Sequence, residues 1–209
     1  IQGERGRKVR LSFGEVLDRD GNFYNENYRT SKNEVVYILS GEADDFKPAF
    51  SFQGFRYVRI DEYPFAQIDV EAFTAIVVHS ELKRIGNFEC GNQKINQLYH
   101  NIIWGQKSNY LDIPTDCPQR DERLGWTGDA QVFCRTAGTN YDVKKFFDKW
   151  LNDLLLEQQR EGLIPFCVPQ VHERPGSSTA AWSDASTVCP WQMYLTYGNT
   201  KILKRQFKS

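Results

Sequence analysis

Apolar and polar residues alternate along Val9-Arg10-Leu11-Ser12-Phe13 and again from Phe50 to Ile60, while Val35 to Leu39 and Ala75 to Val78 are short runs rich in β-branched residues. A period of two marks a half-buried strand, because successive side chains of an extended chain point to opposite faces. Asp20-Gly21-Asn22 and Ser40-Gly41-Glu42 supply turn residues, so residues 1–80 read as a succession of short strands, the pattern of a β-sandwich. After Ser80 the period changes. Ile95, Leu98, Tyr99, Ile102 and Ile103 recur at helical spacing between Lys94 and Tyr110. The same spacing returns from Asp142 to Glu161 in Val143, Phe146, Phe147, Trp150, Leu151, Leu154 and Leu155, with Asp142 as cap and Gly162 as stop. Between them a helix opening at Trp126 or Asp129 is predicted to end near Gly138. A further one runs from Ala180 or Ser183 to Tyr197 before Gly198, and a last one starts near Thr200. Glu81 to Glu89 forms the junction between the two regimes. The prolines and glycine of the stretch Gly162–Thr179, namely Pro165, Pro169, Pro175 and Gly176, exclude regular structure there and predict a long loop.

Composition adds bounds to this β-then-α pattern. The 209 residues are 40% hydrophobic and 14% aromatic, enough for one large globular domain or two smaller ones. A net charge of −1 with no long run of one sign gives no reason to expect nucleic acid or an anionic membrane as partner. No stretch approaches the length of a membrane span. Residue 1 is Ile and no charged-then-apolar leader follows, so the sequence reads as an internal piece or as one whose start has been removed, and the compartment stays open. The five cysteines, Cys90, Cys117, Cys134, Cys167 and Cys189, fit neither a dense disulfide framework nor a zinc spacing and read as buried free thiols. Cys117 has no histidine at a recognisable spacing, since His79, His100 and His172 are scattered, which disfavours a Cys–His nucleophile.

Candidate chemistry is concentrated in Asp116-Cys117-Pro118-Gln119-Arg120-Asp121-Glu122-Arg123-Leu124-Gly125-Trp126-Thr127-Gly128-Asp129. Asp116, Asp121, Glu122 and Asp129 exceed what a helix cap requires. Neighbouring carboxylates repel, so one can keep its proton near neutral pH while another stays ionised, which provides a general acid and a hydrogen-bond acceptor from one residue type. The plainer alternative is a solvated turn in which Arg120 and Arg123 pair with the acids. Pro114, Pro118, Gly125 and Gly128 shape the backbone at short intervals, and Trp126 is out of place in a solvated turn; both features favour a built loop. Trp126 and the later Trp182, two residues before Asp184, are each either core anchors or walls of a pocket. Tyr24, Tyr28 and Phe55 offer a carbohydrate-binding surface on the β half, but aromatic residues on strands are more often core.

Asp116 through Asp129, taken with Ile95-Asn96-Gln97-Leu98-Tyr99 and Ala181-Trp182-Ser183-Asp184-Ala185, resembles the signature of bacterial α-L-rhamnosidases of glycoside hydrolase family 78. Pro48 to Val58 is similar to the end of the β-sandwich that precedes the catalytic barrel in that family. The resemblance implies a multidomain β + α fold: a jelly-roll-like β-sandwich segment over 1–80, a linker over 81–89, and the N-terminal part of an (α/α)6-barrel catalytic domain over 90–209. It implies an inverting glycosidase that removes terminal α-L-rhamnose, acting on rhamnose-containing glycosides or polysaccharides without a cofactor. Carried over residue by residue, Glu122 matches the general acid. Asp116 and Asp129 match carboxylates that bind the sugar hydroxyls and raise the pKa of Glu122. Trp126 and Trp182 match the pocket walls, with Asp184 a candidate helper. The family's general base is a glutamate farther along the barrel, which no residue of this chain matches.

Two other readings stay open on the residues alone. One is a non-catalytic carbohydrate-binding or interaction module, in which the acidic loop binds sugar or holds helices together. The other is a different glycosidase with a helical toroid, trehalase-like or glucoamylase-like, although the acidic motifs of those enzymes look different. No metal ligand is assigned: the clustered aspartates could hold calcium, but the regular ligand ladder of a calcium loop is absent.

Overall fold

The computed structural model describes residues 1–171 and 179–207. The expected loop residues Pro175 and Gly176, and His172, lie outside the described residues. The chain divides into two compact units, one of residues 1–78 with 118–121, the other of residues 79–117 with 122–209.

In the first unit β1 (Lys8–Gly14) is the central strand of a three-stranded antiparallel sheet, flanked by β4 (Glu34–Ile38) and β5 (Tyr57–Glu62). A register shift between Arg10 and Leu11 marks an irregularity against β5. Arg10 spans both neighbours, its guanidinium reaching Glu34 at 3.0 Å and Glu62 at 2.8 Å, an exposed cross-strand pairing of opposite charges. β2 (Val16–Leu17) and β3 (Phe23–Tyr24) form a small hairpin. The Asp18 carboxylate closes it by accepting from the Asp20 and Asn22 amides at 2.9 and 2.7 Å, and Gly21 takes the positive φ of 83° that the turn needs.

The alternating run Phe50–Ile60 becomes a strand only from Tyr57. Phe50 is fully exposed, and Gly54 lies beneath Pro118 and Gln119, where a Cβ would meet their atoms at 2.9–3.0 Å. Ala75–Val78 is not a strand either, since no ladder partner adjoins it and Val77 and Val78 stay exposed. Tyr28 takes the core reading, whereas Phe55 stays exposed. Tyr28 is 1% exposed and donates its hydroxyl to the Gly54 carbonyl, while Phe55 packs on Phe13.

Residues 118–121 belong to this unit because their polar groups are tied there. The Gln119 carbonyl accepts from Asn33 Nδ2 at 2.6 Å and from Ser31 Oγ at 3.3 Å. Asp121 is gripped by the Thr30 hydroxyl and by Arg29, each at 2.8 Å. The Thr30 hydrogen bond, followed by the charge of Arg29, holds the Asp121 carboxyl below the usual carboxylate range.

Among its described residues the second unit contains five helices: α1 (Gln93–Asn109), α2 (Thr127–Asn140), α3 (Lys144–Glu161), α4 (Ala185–Tyr197) and α5 (Thr200–Gln206). Asn92 and Asn199 cap α1 and α5 with their side chains, and Gly162 and Gly198 end α3 and α4 in the left-handed conformation, at φ 74° and 65°. β6 (Tyr110–Leu111) and β7 (Ile113–Pro114) make a short hairpin after α1.

The apolar stripe of α3, Phe147, Trp150, Leu151 and Leu154, is fully buried against Cys134 and Ala137 of α2, Cys189 and Met193 of α4 and Ile202 of α5. Each such large side chain contributes roughly 1.5–3 kcal/mol on burial. α2 does not stop at Gly138. That glycine packs against Thr196 of α4, and the helix runs on to Asn140. There the Asn140 side-chain amide donates to Gln106 at 2.9 Å, and its carbonyl accepts from the amides of Ile85 and Gly86. Among the described residues no helix is long and apolar enough to cross a membrane.

Candidate active site

The site is built on one backbone pairing within the helical unit. Residues 124–127 run beside 165–168: Val168 N–H donates to the Gly125 carbonyl at 2.8 Å, and Thr127 N–H to the Phe166 carbonyl at 2.8 Å. The Trp150 indole N–H donates to the Val168 carbonyl at 3.2 Å, locking the pair onto α3. Position 125 must be glycine, because an added Cβ would lie 2.1 Å from the Val168 oxygen. So part of the long loop after Gly162 is ordered by pairing with the motif.

Asp116 is clasped by the same segment. Its amide donates to the Leu124 carbonyl at 3.1 Å, and Leu124 N–H donates back to Asp116 Oδ1 at 3.0 Å. The resulting turn brings Glu122, which is half-buried, onto Asp116, and the two carboxyl groups share a hydrogen bond. Burial raises the Asp116 pKa and the hydrogen bond to Glu122 raises it further, against the opposing Cys117 thiol. Burial and the neighbouring carboxyl group both disfavour the ionised form of Asp116, since two full negative charges at that distance are unfavourable.

Asp129 sits in the first turn of α2 and is exposed. Its charge reaches the same place, as Cys167 records: burial, then Asp116, Asp129 and Glu122 in that order, push the Cys167 thiol up to about 12. A thiolate there would be buried and surrounded by carboxylates.

The two tryptophans are joined by a residue that the sequence did not single out. Phe166 lies 6.4 Å from Trp126 and 6.0 Å from Trp182, in the second case edge to face at 83°. Trp182 also lies over Gly128, and Gln131 of α2 donates its amide to the Ala181 carbonyl. A cavity of about 580 Å³ opens here, lined by Asp116, Asp129, Gln131, Trp182, Asn109 and Thr115 among others. Its lining does not include Glu122, Trp126 or Phe166; Glu122 is linked to it through Asp116, and Trp126 through Phe166 and then Trp182. Asp184 turns aside, its carboxylate accepting from Ala181 N–H at 3.0 Å within its own turn.

Phe166, Gln131 and Cys167 were missed because their signal lies in non-local pairing. Among the described residues Asp116, Cys117 and Glu122 are the group whose ligand atoms come within 4.8 Å of one another. The hydrogen bonds of Cys117 and Glu122 to Asp116 account for that proximity, and two carboxyls with one thiol are a mixed hard and soft set.

Comparison with known proteins gives the family. Residues 83–209 match the family described as the bacterial alpha-L-rhamnosidase 6 hairpin glycosidase domain, and residues 1–79 match the bacterial alpha-L-rhamnosidase concanavalin-like domain. An alpha-L-rhamnosidase of Formosa agariphila is 40% identical over 97% of this chain and 22% of its own length, and one of Streptomyces avermitilis is 38% identical over 97% and 20%. Among solved structures, the Aspergillus terreus α-L-rhamnosidase superposes with a TM-score of 0.92 at 40% identity, covering all of this chain and 24% of that one. The Streptomyces avermitilis enzyme complexed with L-rhamnose gives 0.91 at 37% identity, covering all of this chain and 20% of that one. The chain thus spans about a fifth of the length of the curated relatives it matches. It belongs to the bacterial α-L-rhamnosidases of glycoside hydrolase family 78.

Proposed function

We propose that the intact protein removes terminal α-L-rhamnose from glycosides or polysaccharides by an inverting acid/base mechanism, with Glu122 as general acid. In this reading residues 1–80 are a β-sandwich segment, 81–89 a linker and 90–209 the opening of an (α/α)6 barrel. The relatives named as α-L-rhamnosidases support the substrate class. The observation that carries the acid assignment is the hydrogen bond between Asp116 and Glu122.

A pair that shares a proton is a proton source at a pH where an isolated carboxyl has already ionised. Glu122 hands that proton to the departing glycosidic oxygen, and the charge left behind is held by the hydrogen bond. Asp116 is then a binding and tuning group and not the base. An inverting pair stands about 6.5–9.5 Å apart to admit the attacking water, whereas Asp116 and Glu122 have ligand atoms within 4.8 Å. The water-activating carboxylate is not assigned to any residue of this chain.

Asp129 and Asp116, both on the cavity wall, accept hydrogen bonds from rhamnose hydroxyls. Trp182, and Trp126 through Phe166, supply apolar surface for the face of the sugar that carries its methyl group. Proton NMR of an α-L-rhamnoside during hydrolysis tests the reading: β-L-rhamnose should be the first product, before mutarotation. First release of the α anomer contradicts inversion, and no release of rhamnose contradicts the function.

A further inference from the structure

Phe166 does not line the cavity, yet it packs between the two tryptophans of the site. Its ring centroid lies 6.4 Å from that of Trp126, tilted by 48°, and 6.0 Å from that of Trp182, nearly perpendicular at 83°. Both separations fall in the range at which aromatic rings attract one another beyond the area they bury. The backbone of Phe166 is held without help from its ring. Thr127, wholly buried at the start of α2, donates its N–H to the Phe166 carbonyl at 2.8 Å, and its hydroxyl lies 3.1 Å from the same oxygen and 3.2 Å from that of Pro165.

Trp182 needs such a neighbour. The chain just before it is fixed: Ala181 is left-handed at φ 73°, its carbonyl accepts from Gln131 and its N–H donates to Asp184. Those anchors set where the side chain starts but not which rotamer it takes, and at 36% exposure the indole is far from enclosed. Gly128 leaves room for the indole and, having no side chain, does not steer it. Phe166 presents a flat, near-perpendicular ring that does.

We propose that Phe166 is a positioning residue for the sugar site: its ring, packed on Trp126, holds the Trp182 indole over Gly128, so that the aromatic wall stands ready before a rhamnoside binds. This role rests on the reading of Trp182 as a wall of the rhamnose pocket. Phe166 acts on the sugar through Trp182 and not by touching it, since it is absent from the cavity lining that contains Trp182 and Gly128.

Such a device works on binding. A loose indole has to be ordered when the sugar arrives, and that cost is subtracted from affinity, whereas the proton transfer from Glu122 is left as it was. An aromatic pair shifts a population by about two- to tenfold. Loss of the ring should therefore raise KM by that factor with kcat nearly constant, the signature of an interaction made equally with ground state and transition state. Because Thr127 holds the Phe166 carbonyl, a change of side chain leaves the pairing of the two segments in place.

The test assays the intact protein on a nitrophenyl α-L-rhamnoside as wild type, Phe166→Ala, Phe166→Leu and Phe166→Tyr, and repeats Phe166→Ala in a Trp182→Ala background. KM should rise about two- to tenfold in Phe166→Ala and in Phe166→Leu, which keeps the volume but not the flat ring. In both, kcat should stay within about twofold of wild type, and Phe166→Tyr, which keeps the ring, should restore KM. Once Trp182 is removed, Phe166→Ala should add no further rise, because the two residues act as one unit. Should Phe166→Ala fail to fold, as urea unfolding would show, Phe166→Leu takes its place in both backgrounds. An unchanged KM, a fall in kcat at constant KM, no recovery with Phe166→Tyr, or an equal rise with and without Trp182 overturns the role of Phe166 alone. A wild type that releases no rhamnose overturns the proposed function and this role together.

Discussion

Trp182 lies across Gly128, so closely that a Cβ built on the glycine would stand 3.0 Å from both Cε2 and Nε1 of the indole. One hydrogen at position 128 therefore lets the aromatic wall approach the first turn of α2, beside Asp129. Gly128→Ala should push the indole away from the cavity, raise KM for a rhamnoside several-fold and shift the tryptophan emission, while the helix itself gains from alanine. Unchanged KM and emission would mean that Trp182 does not form the wall.

Gly125 has a different role, and its replacement should act on stability. A methyl at this position meets the Val168 oxygen at 2.1 Å, a backbone atom that cannot move without breaking the Val168-to-Gly125 pairing and the Trp150-to-Val168 hydrogen bond. Gly125→Ala should lower unfolding stability by about 3 kcal/mol or more in urea titration, at the upper end of single-substitution effects. A loss below about 1 kcal/mol would show that the 124–127 and 165–168 segments are not held together.

The raised pKa of Asp116 has a defined sign in stability. A carboxyl whose folded pKa lies above its unfolded value favours the folded state below the unfolded value, about 4, and loses that contribution as pH rises through the folded value. Asp116→Asn has no such group to ionise. Its stability relative to wild type should therefore increase as pH is raised from about 4 towards neutrality, even as rhamnoside binding weakens. Urea midpoints of both proteins across that range give the slope; a flat or falling difference would contradict the buried, proton-sharing environment.

The helices were legible because their faces are local. The stripe Phe147, Trp150, Leu151 and Leu154 can be read directly from the 3.6-residue period, and Gly162 and Gly198 mark stops where the chain turns left-handed. Gly138 misled because its role is tertiary: it admits Thr196, and Asn140 is secured by Gln106 and by the amides of Ile85 and Gly86, so the helix outruns its apparent stop. Ala75–Val78 misled in the opposite sense, since β-branched residues make a strand only where a ladder partner exists.

Of the proposed site, Asp116, Glu122, Trp126 and Asp129 could be named as candidates because they crowd one stretch. Phe166, between the two tryptophans, could not, because it lies 39 residues from Thr127 and its pairing with that segment leaves no local pattern. Arg29 and Thr30, which account for Asp121, were invisible for the same reason.

The assignment of Glu122 as general acid is tested most directly by Glu122→Gln in the intact protein on two α-L-rhamnosides that differ only in leaving group. The amide keeps the shape of the side chain and loses the proton. Turnover of a substrate with a poor alcohol leaving group should fall by about 10²- to 10⁴-fold, with rhamnose binding largely retained, while the deficit on a nitrophenyl rhamnoside should be much smaller, because nitrophenolate departs with little protonation. Equal deficits on the two substrates, or full activity on the alcohol glycoside, would contradict the role of Glu122 as the acid.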